Sequence, residues 1–379
     1  MKIMMVRDRN VLNTNWLVYL ANLFASRGHE IVIACDTYAK LGKLGDEYTL
    51  DETIRVVNLN GKTKNPLINI YRFLRGKVFV PYFRFNKLIK EEKPDVLLCY
   101  FPVDLYNVTR FQNHNIPIVQ MVHGEPSNVF KKYLKANFIT RAICKKSFDK
   151  VHTFQILMNS FEKRIKEITG AKNVVRIANP VKQYKTDELV DLDNEKKKII
   201  YVGRVEKSIK QPHLLVEAFA KIAKDFPDWK VEIWGLAKFE NYNKEINSFI
   251  KKYNLEDQVC LAGYSKDMEA LYRTADIQAF PSRSEGFSLA IADAMAIGLP
   301  HVAFDYAISV NEVVKDNHNG FLAKDVDDFA DKLKILISDK NKRIEFGKNA
   351  SQDMREYAPD VLLDRWDELF YRITKGNKL

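Results

Sequence analysis

Short, nearly continuous apolar runs recur along this chain, with helical periodicity between them. In the first half the runs cover residues 2–6, 30–35, 55–59, 95–99, 116–122, 151–154 and 174–177. Helical patterns cover 11–26, 67–92, 129–147 and 159–169. The second half repeats the scheme, with runs at 198–202, 230–234, 259–262, 277–280 and 301–304. Runs without polar alternation suit strands buried on both faces, as in parallel sheets, and parallel strands need helical crossovers. The pattern predicts an α/β chain built from two Rossmann-like units in tandem. At 379 residues there is enough chain for both cores. The polar stretch 183–197 is the expected linker between a first domain, 1–182, and a second, 198–358. Residues 359–373 place Leu362, Leu363, Trp366, Leu369 and Phe370 at helical spacing, which reads as a terminal packing helix.

Charge separates the halves. Residues 1–182 hold 30 Lys/Arg against 15 Asp/Glu, whereas 183–379 hold 30 against 34. A basic half suits nucleic acid, acidic ligands or an anionic membrane. No apolar run approaches the roughly 18–20 residues that span a bilayer. The start, Met1-Lys2-Ile3-Met4-Met5-Val6-Arg7-Asp8, reads as a strand rather than a signal peptide. Cys35, Cys99, Cys144 and Cys260 are scattered, and the seven histidines form no cluster with ligand spacing. Reduced thiols, a cytoplasmic setting and no structural metal are expected.

The densest cluster of chemistry is Pro281-Ser282-Arg283-Ser284-Glu285-Gly286-Phe287-Ser288, followed by a small-residue helix that ends at Gly298-Leu299-Pro300. Glu285 lies before the helix and Asp293 on it, seven residues intervening. Free N–H groups at a helix start attract phosphate. Two acids around such a start suit a ligand with hydroxyls on both sides of a diphosphate. Acids at this spacing are commonly just solvated, so the flanking motif carries the argument.

Other segments converge on the same ligand. Ile199-Ile200-Tyr201-Val202-Gly203-Arg204 ends a strand at a glycine and runs through Lys207 and Lys210 to a helix near Pro212. Cations at strand carboxyl ends suit phosphates. Gly235, and the turn Gly263-Tyr264-Ser265, end two further strands, and His123-Gly124 ends one in the first half.

Together these motifs resemble the donor site of GT-B retaining glycosyltransferases of family 4 (glycosyl transferases group 1). The likeness is specific over 199–322 and loose over 1–182. It implies a GT-B fold, in which two Rossmann-like domains face each other across a cleft and the last helix crosses back to the first domain. It implies that Arg204 and Lys210 hold the diphosphate, with Lys207 a competitor for the second role. Glu285 would hold sugar hydroxyls, Asp293 the ribose, and His123 a position near donor sugar and acceptor. Gly235, Tyr264, Ser265, Gly286, Phe287 and Ser288 would complete the donor pocket. The family usually has Glu where this chain has Asp293, and paired glycines where it has Arg7-Asp8-Arg9-Asn10.

Residues 62–93 interleave nine Lys/Arg with aromatic and aliphatic residues. Two readings stay open, a helix on an anionic bilayer and a core helix with a basic outer face. Lys131, Lys132, Lys135, Arg141, Lys145 and Lys146 add a second basic helix. No nucleic-acid motif accompanies the charge. The expected activity is metal-independent transfer of a sugar, with retention, from a nucleoside diphosphate sugar, here a UDP-sugar. The expected acceptor is a lipid-linked glycan, lipopolysaccharide or surface-polysaccharide precursor at the inner membrane face. No cofactor is expected beyond the nucleotide-sugar substrate. A non-catalytic glycan-binding or partner-stabilising subunit and a nucleotide-sugar epimerase remain alternatives.

Overall fold

The computed structural model describes residues 1–7, 15–35, 49–59, 80–109, 114–237 and 240–375. The chain divides into two compact units, Met1–Ile177 with Leu362–Leu379, and Ala178–Val361.

Among the described residues the first unit holds seven parallel strands, β1 (Lys2–Arg7), β2 (Glu30–Cys35), β3 (Arg55–Asn58), β4 (Val96–Cys99), β5 (Ile118–Val122), β6 (Thr153–Ile156) and β7 (Val174–Arg176). Their order is β3-β2-β1-β4-β5-β6-β7. The chain winds outward from β1 to β3 and then returns to the other side of β1, so the order reverses between β1 and β4. Residues 2–7 of β1 pair in register with 30–35, and Ile3–Val6 pair with Val96–Cys99 on the other side. The inner strands are buried because apolar side chains fill both faces, while the edge strands β3 and β7 stay partly exposed.

The helix Pro359–Lys375 completes this unit from Leu362 onward, and Leu362, Leu363, Trp366, Leu369, Phe370 and Ile373 are its buried residues. Trp366 and Phe370 meet Phe24 edge-on, each at 5.5 Å between centroids. Arg27 pairs with Asp364 at 2.8 Å and His29 with Asp367 at 2.7 Å. This is the packing helix the sequence predicts, now with its contacts.

The second unit holds six parallel strands, β8 (Lys198–Val202), β9 (Lys230–Trp234), β10 (Val259–Gly263), β11 (Ile277–Phe280), β12 (His301–Phe304) and β13 (Gly320–Ala323). Their order is β10-β9-β8-β11-β12-β13, reversing between β8 and β11. In open α/β sheets such a reversal opens a crevice at the strand carboxyl ends, where ligands bind.

Three expectations need correction. Residues 183–197 are not a free linker. They belong to the second unit, where Val190 and Leu192 are buried in one cluster with Ile200, Ala294, Ile297 and Leu299. Two apolar residues in a polar stretch were enough to anchor it. The helix expected at 129–147 is three, Pro126–Val129, Lys131–Leu134 and Phe138–Phe148, because Asn137 accepts from the Thr140 N–H and starts the last one afresh. Strand β13 was not anticipated. It is a four-residue edge strand pairing with β12 from His301↔Gly320 to Phe304↔Ala323. Of the segment 62–93, residues 60–79 lie outside the described residues, and Val80–Glu92 is helical.

Candidate active site

In the second unit, the loops after β8 and β11 flank the reversal. The β8 loop begins at Gly203, whose N–H donates to the Trp234 carbonyl at 3.0 Å. Tyr201, buried and stacked 5.7 Å from Phe280, donates its hydroxyl to the Arg204 carbonyl at 2.8 Å. That bond fixes the loop that presents Arg204. The Arg204 side chain is 62% exposed and meets Glu206 at 3.0 Å. Its guanidinium is thus held near the strand end yet open to an anion.

Lys210 is engaged differently. Its ammonium donates to both Glu285 oxygens, at 2.7 and 2.8 Å, and lies 4.9 Å from the centroid of the Phe280 ring. The two side chains are only 12% and 9% exposed. Buried Ser282 places its hydroxyl against the Glu285 carboxylate and 3.1 Å from the Ile209 carbonyl. Arg283 N–H donates to the same carbonyl at 2.7 Å, tying the two loops together. Ser309 donates to the Glu285 carbonyl at 2.9 Å. Lys207 pairs with Glu245, so Lys210 is the cation of this loop that meets Glu285.

Gly286 leads to Phe287, which is buried 5.1 Å from the Tyr357 ring, and Ser288 precedes the helix Leu289–Ala296 at its N-cap position. No side chain caps that helix start, and the buried Ser288 hydroxyl has no partner among the described residues. Its first N–H groups are therefore unpaired by side chains, the arrangement that receives an anion. Asp293 stands one turn further in. Burial pushes its carboxyl up to about 7. Its charge is felt by Tyr184 and by fully buried Tyr272.

Gly235 is confined both by its backbone, at φ +150°, and by contact. A Cβ there would lie 1.7 Å from the Gly203 carbonyl oxygen. Its N–H donates to the Gly263 carbonyl at 2.6 Å, so β8, β9 and β10 end in close register. Gly263, at φ +89°, turns the chain outward to exposed Tyr264. The Ser265 hydroxyl is spent on the Asp267 carbonyl at 2.9 Å, and Asp267 caps the next helix through the Ala270 N–H.

In the first unit, His123 follows β5. It stacks on Tyr100 at 4.6 Å between centroids, and its Nε2 is buried without a partner among the described residues. Burial drives its pKa down to about 3, so the imidazole is neutral. Arg7, at the end of β1, lies over the Tyr100 and Phe101 rings at 5.3 and 4.2 Å. The loop from Asp8 to Asn10 lies outside the described residues.

The second unit thus brings Arg204, Lys210, Glu285, Gly286, Phe287, Ser288 and Asp293 to loops and one helix at the strand carboxyl ends, with Gly235, Tyr264 and Ser265 on neighbouring strand ends. Sequence reasoning missed Ser282, Tyr201 and Tyr184. Ser282 had a signal, lying three residues before Glu285 in the same motif. Tyr184 had one too, as an aromatic inside a stretch taken for a polar linker.

Comparison with known proteins agrees with this architecture. The family described as Glycosyl transferases group 1 matches residues 185–353, and Glycosyltransferase Family 4 matches 14–182. The chain belongs to this family of glycosyltransferases. An uncharacterized glycosyltransferase of Haemophilus influenzae is 24% identical over 353 residues, covering 92% of this chain and 93% of that protein. A Campylobacter jejuni enzyme is 24% identical and matched over 94% of both chains; it is named as an α-1,4-N-acetyl-D-galactosaminyltransferase acting on GalNAc-alpha-(1->4)-GalNAc-alpha-(1->3)-diNAcBac-PP-undecaprenol. A Staphylococcus aureus poly(ribitol-phosphate) alpha-N-acetylglucosaminyltransferase is 26% identical over 83% of this chain and 64% of its own length. Among solved structures, sucrose-phosphate synthase of Thermosynechococcus elongatus superposes with a TM-score of 0.76 at 16% identity, over 99% of this chain and all of that one. Anabaena HepE in complex with UDP and glucose superposes at 0.73 with 17% identity, over 97% and 99%. The fold is GT-B.

Proposed function

We propose that this glycosyltransferase moves a sugar from a nucleoside diphosphate donor, a UDP-sugar, to a hydroxyl of a lipid-linked glycan or surface-polysaccharide precursor, with the anomeric configuration kept. The observation that carries this is the Lys210–Glu285 ion pair at the sheet's reversal, beside a helix start whose N–H groups no side chain caps.

The roles follow from the chemistry. Arg204, with its open guanidinium, and Lys210 neutralise the diphosphate together with the helix start. Without donor, Lys210 is occupied by Glu285. An arriving diphosphate competes for that ammonium, and the released carboxylate is free to accept from sugar hydroxyls. Asp293 accepts from the ribose, and the turn at Gly263–Ser265 meets the base. The neutral imidazole of His123 hydrogen-bonds a sugar hydroxyl. The bond from the anomeric carbon to the diphosphate oxygen breaks, and a bond to the acceptor oxygen forms on the same face. The acceptor's proton goes to the departing phosphate oxygen. The protein's cations carry the leaving-group charge, so no metal is required.

The acceptor class is supported by the named activities of the Staphylococcus and Campylobacter relatives, and the donor by the UDP complex of the structural neighbour. The basic first half favours a peripheral site at the inner membrane face. Among the described residues no helix is long and apolar enough to cross a membrane.

Thermal shift against a panel of nucleotide sugars tests the donor assignment, since a ligand that binds only the native state raises apparent stability. A UDP-sugar should raise the melting temperature of the wild type and do so much less for Arg204→Ala. Failure of every nucleotide sugar to shift the wild type would refute the reading.

A further inference from the structure

The basic stretch between Glu125 and Asp149 ends in a helix with two apolar faces. Six cations, Lys131, Lys132, Lys135, Arg141, Lys145 and Lys146, fall in this stretch, and no acid does. The inner face of the helix Phe138–Phe148 carries Cys144, Ser147 and Phe148, its buried residues. Phe148 packs against Phe130 at 5.5 Å and Tyr133 at 5.0 Å, so that face is fully used. On nearly the opposite side, at i, i+1 and i+4, i+5 spacing, stand Phe138, Ala142, Ile139 and Ile143. Phe138 is 85% exposed, Ile139 69% and Ile143 58%. Isolated exposed apolar residues need no explanation, but three bulky ones side by side on one short helix do.

We infer that this helix is the membrane-docking element of the protein, with Phe138, Ile139 and Ile143 inserting among the acyl chains of an anionic bilayer while the surrounding lysines and arginine hold its headgroups. The inference rests on the proposed transfer to a membrane-borne acceptor. Charge selects the occupant. A stretch with six cations and no acid repels a second copy of itself, and it complements a surface of anionic phosphates. Large apolar side chains beside cations on a helix whose other face packs on the domain describe an element lying in the interface plane. Placement agrees. The stretch begins just after β5, whose carboxyl end carries His123, and the exposed apolar residues fall in the first half of the helix.

The test is cosedimentation of the full chain with vesicles of phosphatidylcholine alone or mixed with phosphatidylglycerol, at low and high salt. Three proteins are compared: wild type, the triple variant F138S/I139S/I143S, and the triple variant K131E/K132E/K135E. All substituted apolar side chains are solvent-facing, so the fold is preserved, and circular dichroism checks it. Wild type should bind anionic vesicles and keep part of that binding at high salt. The serine variant should lose the salt-resistant part, with partitioning down on the order of 100-fold. The glutamate variant should lose anionic selectivity, by at least about 100-fold at roughly fivefold for each of the three lost cations. UDP release from the donor with a short soluble acceptor should be unchanged in both, which separates failed docking from failed glycosyl transfer. Three results overturn the inference. The wild type ignores anionic vesicles, the serine variant binds as well as wild type, or the wild type forms a dimer that the serine variant abolishes.

Discussion

Replacing Lys210 should damage both stability and turnover, and a second substitution should repair only the first. Its ammonium bridges both Glu285 oxygens at 2.7 and 2.8 Å between side chains 12% and 9% exposed. Lys210→Ala strands the Glu285 carboxylate in that nearly dry site. Breaking a buried pair from one side costs about 3–5 kcal/mol. The Ser282 hydroxyl still faces the carboxylate, which argues for the lower end. For a unit of this size the melting temperature should fall by roughly 6–20 °C. Loss of a preorganised cation facing the leaving diphosphate should also slow turnover on the order of 100-fold or more. The double variant Lys210→Met with Glu285→Gln removes both charges and keeps the volume, so it should recover most of the lost stability. It should remain as inactive as the single variant. Urea denaturation and UDP release at saturating donor measure the two quantities. If Lys210→Ala keeps near-wild-type turnover while folded, the diphosphate assignment is wrong. If the double variant regains turnover, the pair is a structural clasp and not part of the reaction.

Asp293 should make donor affinity depend on pH. With its carboxyl pushed up to about 7 by burial, the folded free protein holds a proton there that the unfolded chain has lost, so this group's contribution to stability falls as pH rises from about 4 to 7. Hydroxyl donation from a ribose favours the ionised form, so donor affinity should rise through pH 7 in titrations, and Asp293→Asn should flatten the curve. Gly235→Ala should abolish soluble folding or cost well over about 3 kcal/mol, because its Cβ would sit 1.7 Å from the Gly203 carbonyl oxygen. Gly263→Ala has open space and only an unfavourable φ, so denaturation should show a loss of about 1–3 kcal/mol. With its pKa held near 3, His123 should contribute no ionisation to the rate between pH 5 and 9. His123→Asn should therefore change the height of the pH–rate profile and leave its shape.

The sheets were legible because a parallel strand buried on both faces writes itself as an apolar run. Ile199-Ile200-Tyr201-Val202 and Met4-Met5-Val6 are such runs, and they became β8 and β1. Strand β13 escaped because Gly320-Phe321-Leu322-Ala323 is short and lies at a sheet edge, where one ladder suffices. The break before Phe138 escaped because apolar periodicity runs through it, and only the Asn137 cap marks it. At the site, the residues of the Pro281–Ser288 motif were legible from their types and order. Their partners were not. Lys210 and Glu285 are far apart in sequence, and nothing local says that one ammonium meets both oxygens of that carboxylate. The same holds for Gly235, whose Cβ would meet the Gly203 carbonyl just past the end of β8. The raised Asp293 carboxyl depends on burial, which residue order alone does not give.

The central claim is transfer from a nucleoside diphosphate sugar with retention, driven by this chain's own cations. Its most direct test is the anomeric configuration of the product. Purified protein is incubated with an α-linked UDP-sugar and a polyprenyl-diphosphate-linked saccharide in the presence of chelator, and the new linkage is read by NMR. An α-linked product, formed by wild type and lost in Arg204→Ala, is the result expected. A β-linked product, or transfer that stops when chelator is added and returns with a divalent metal, would contradict it.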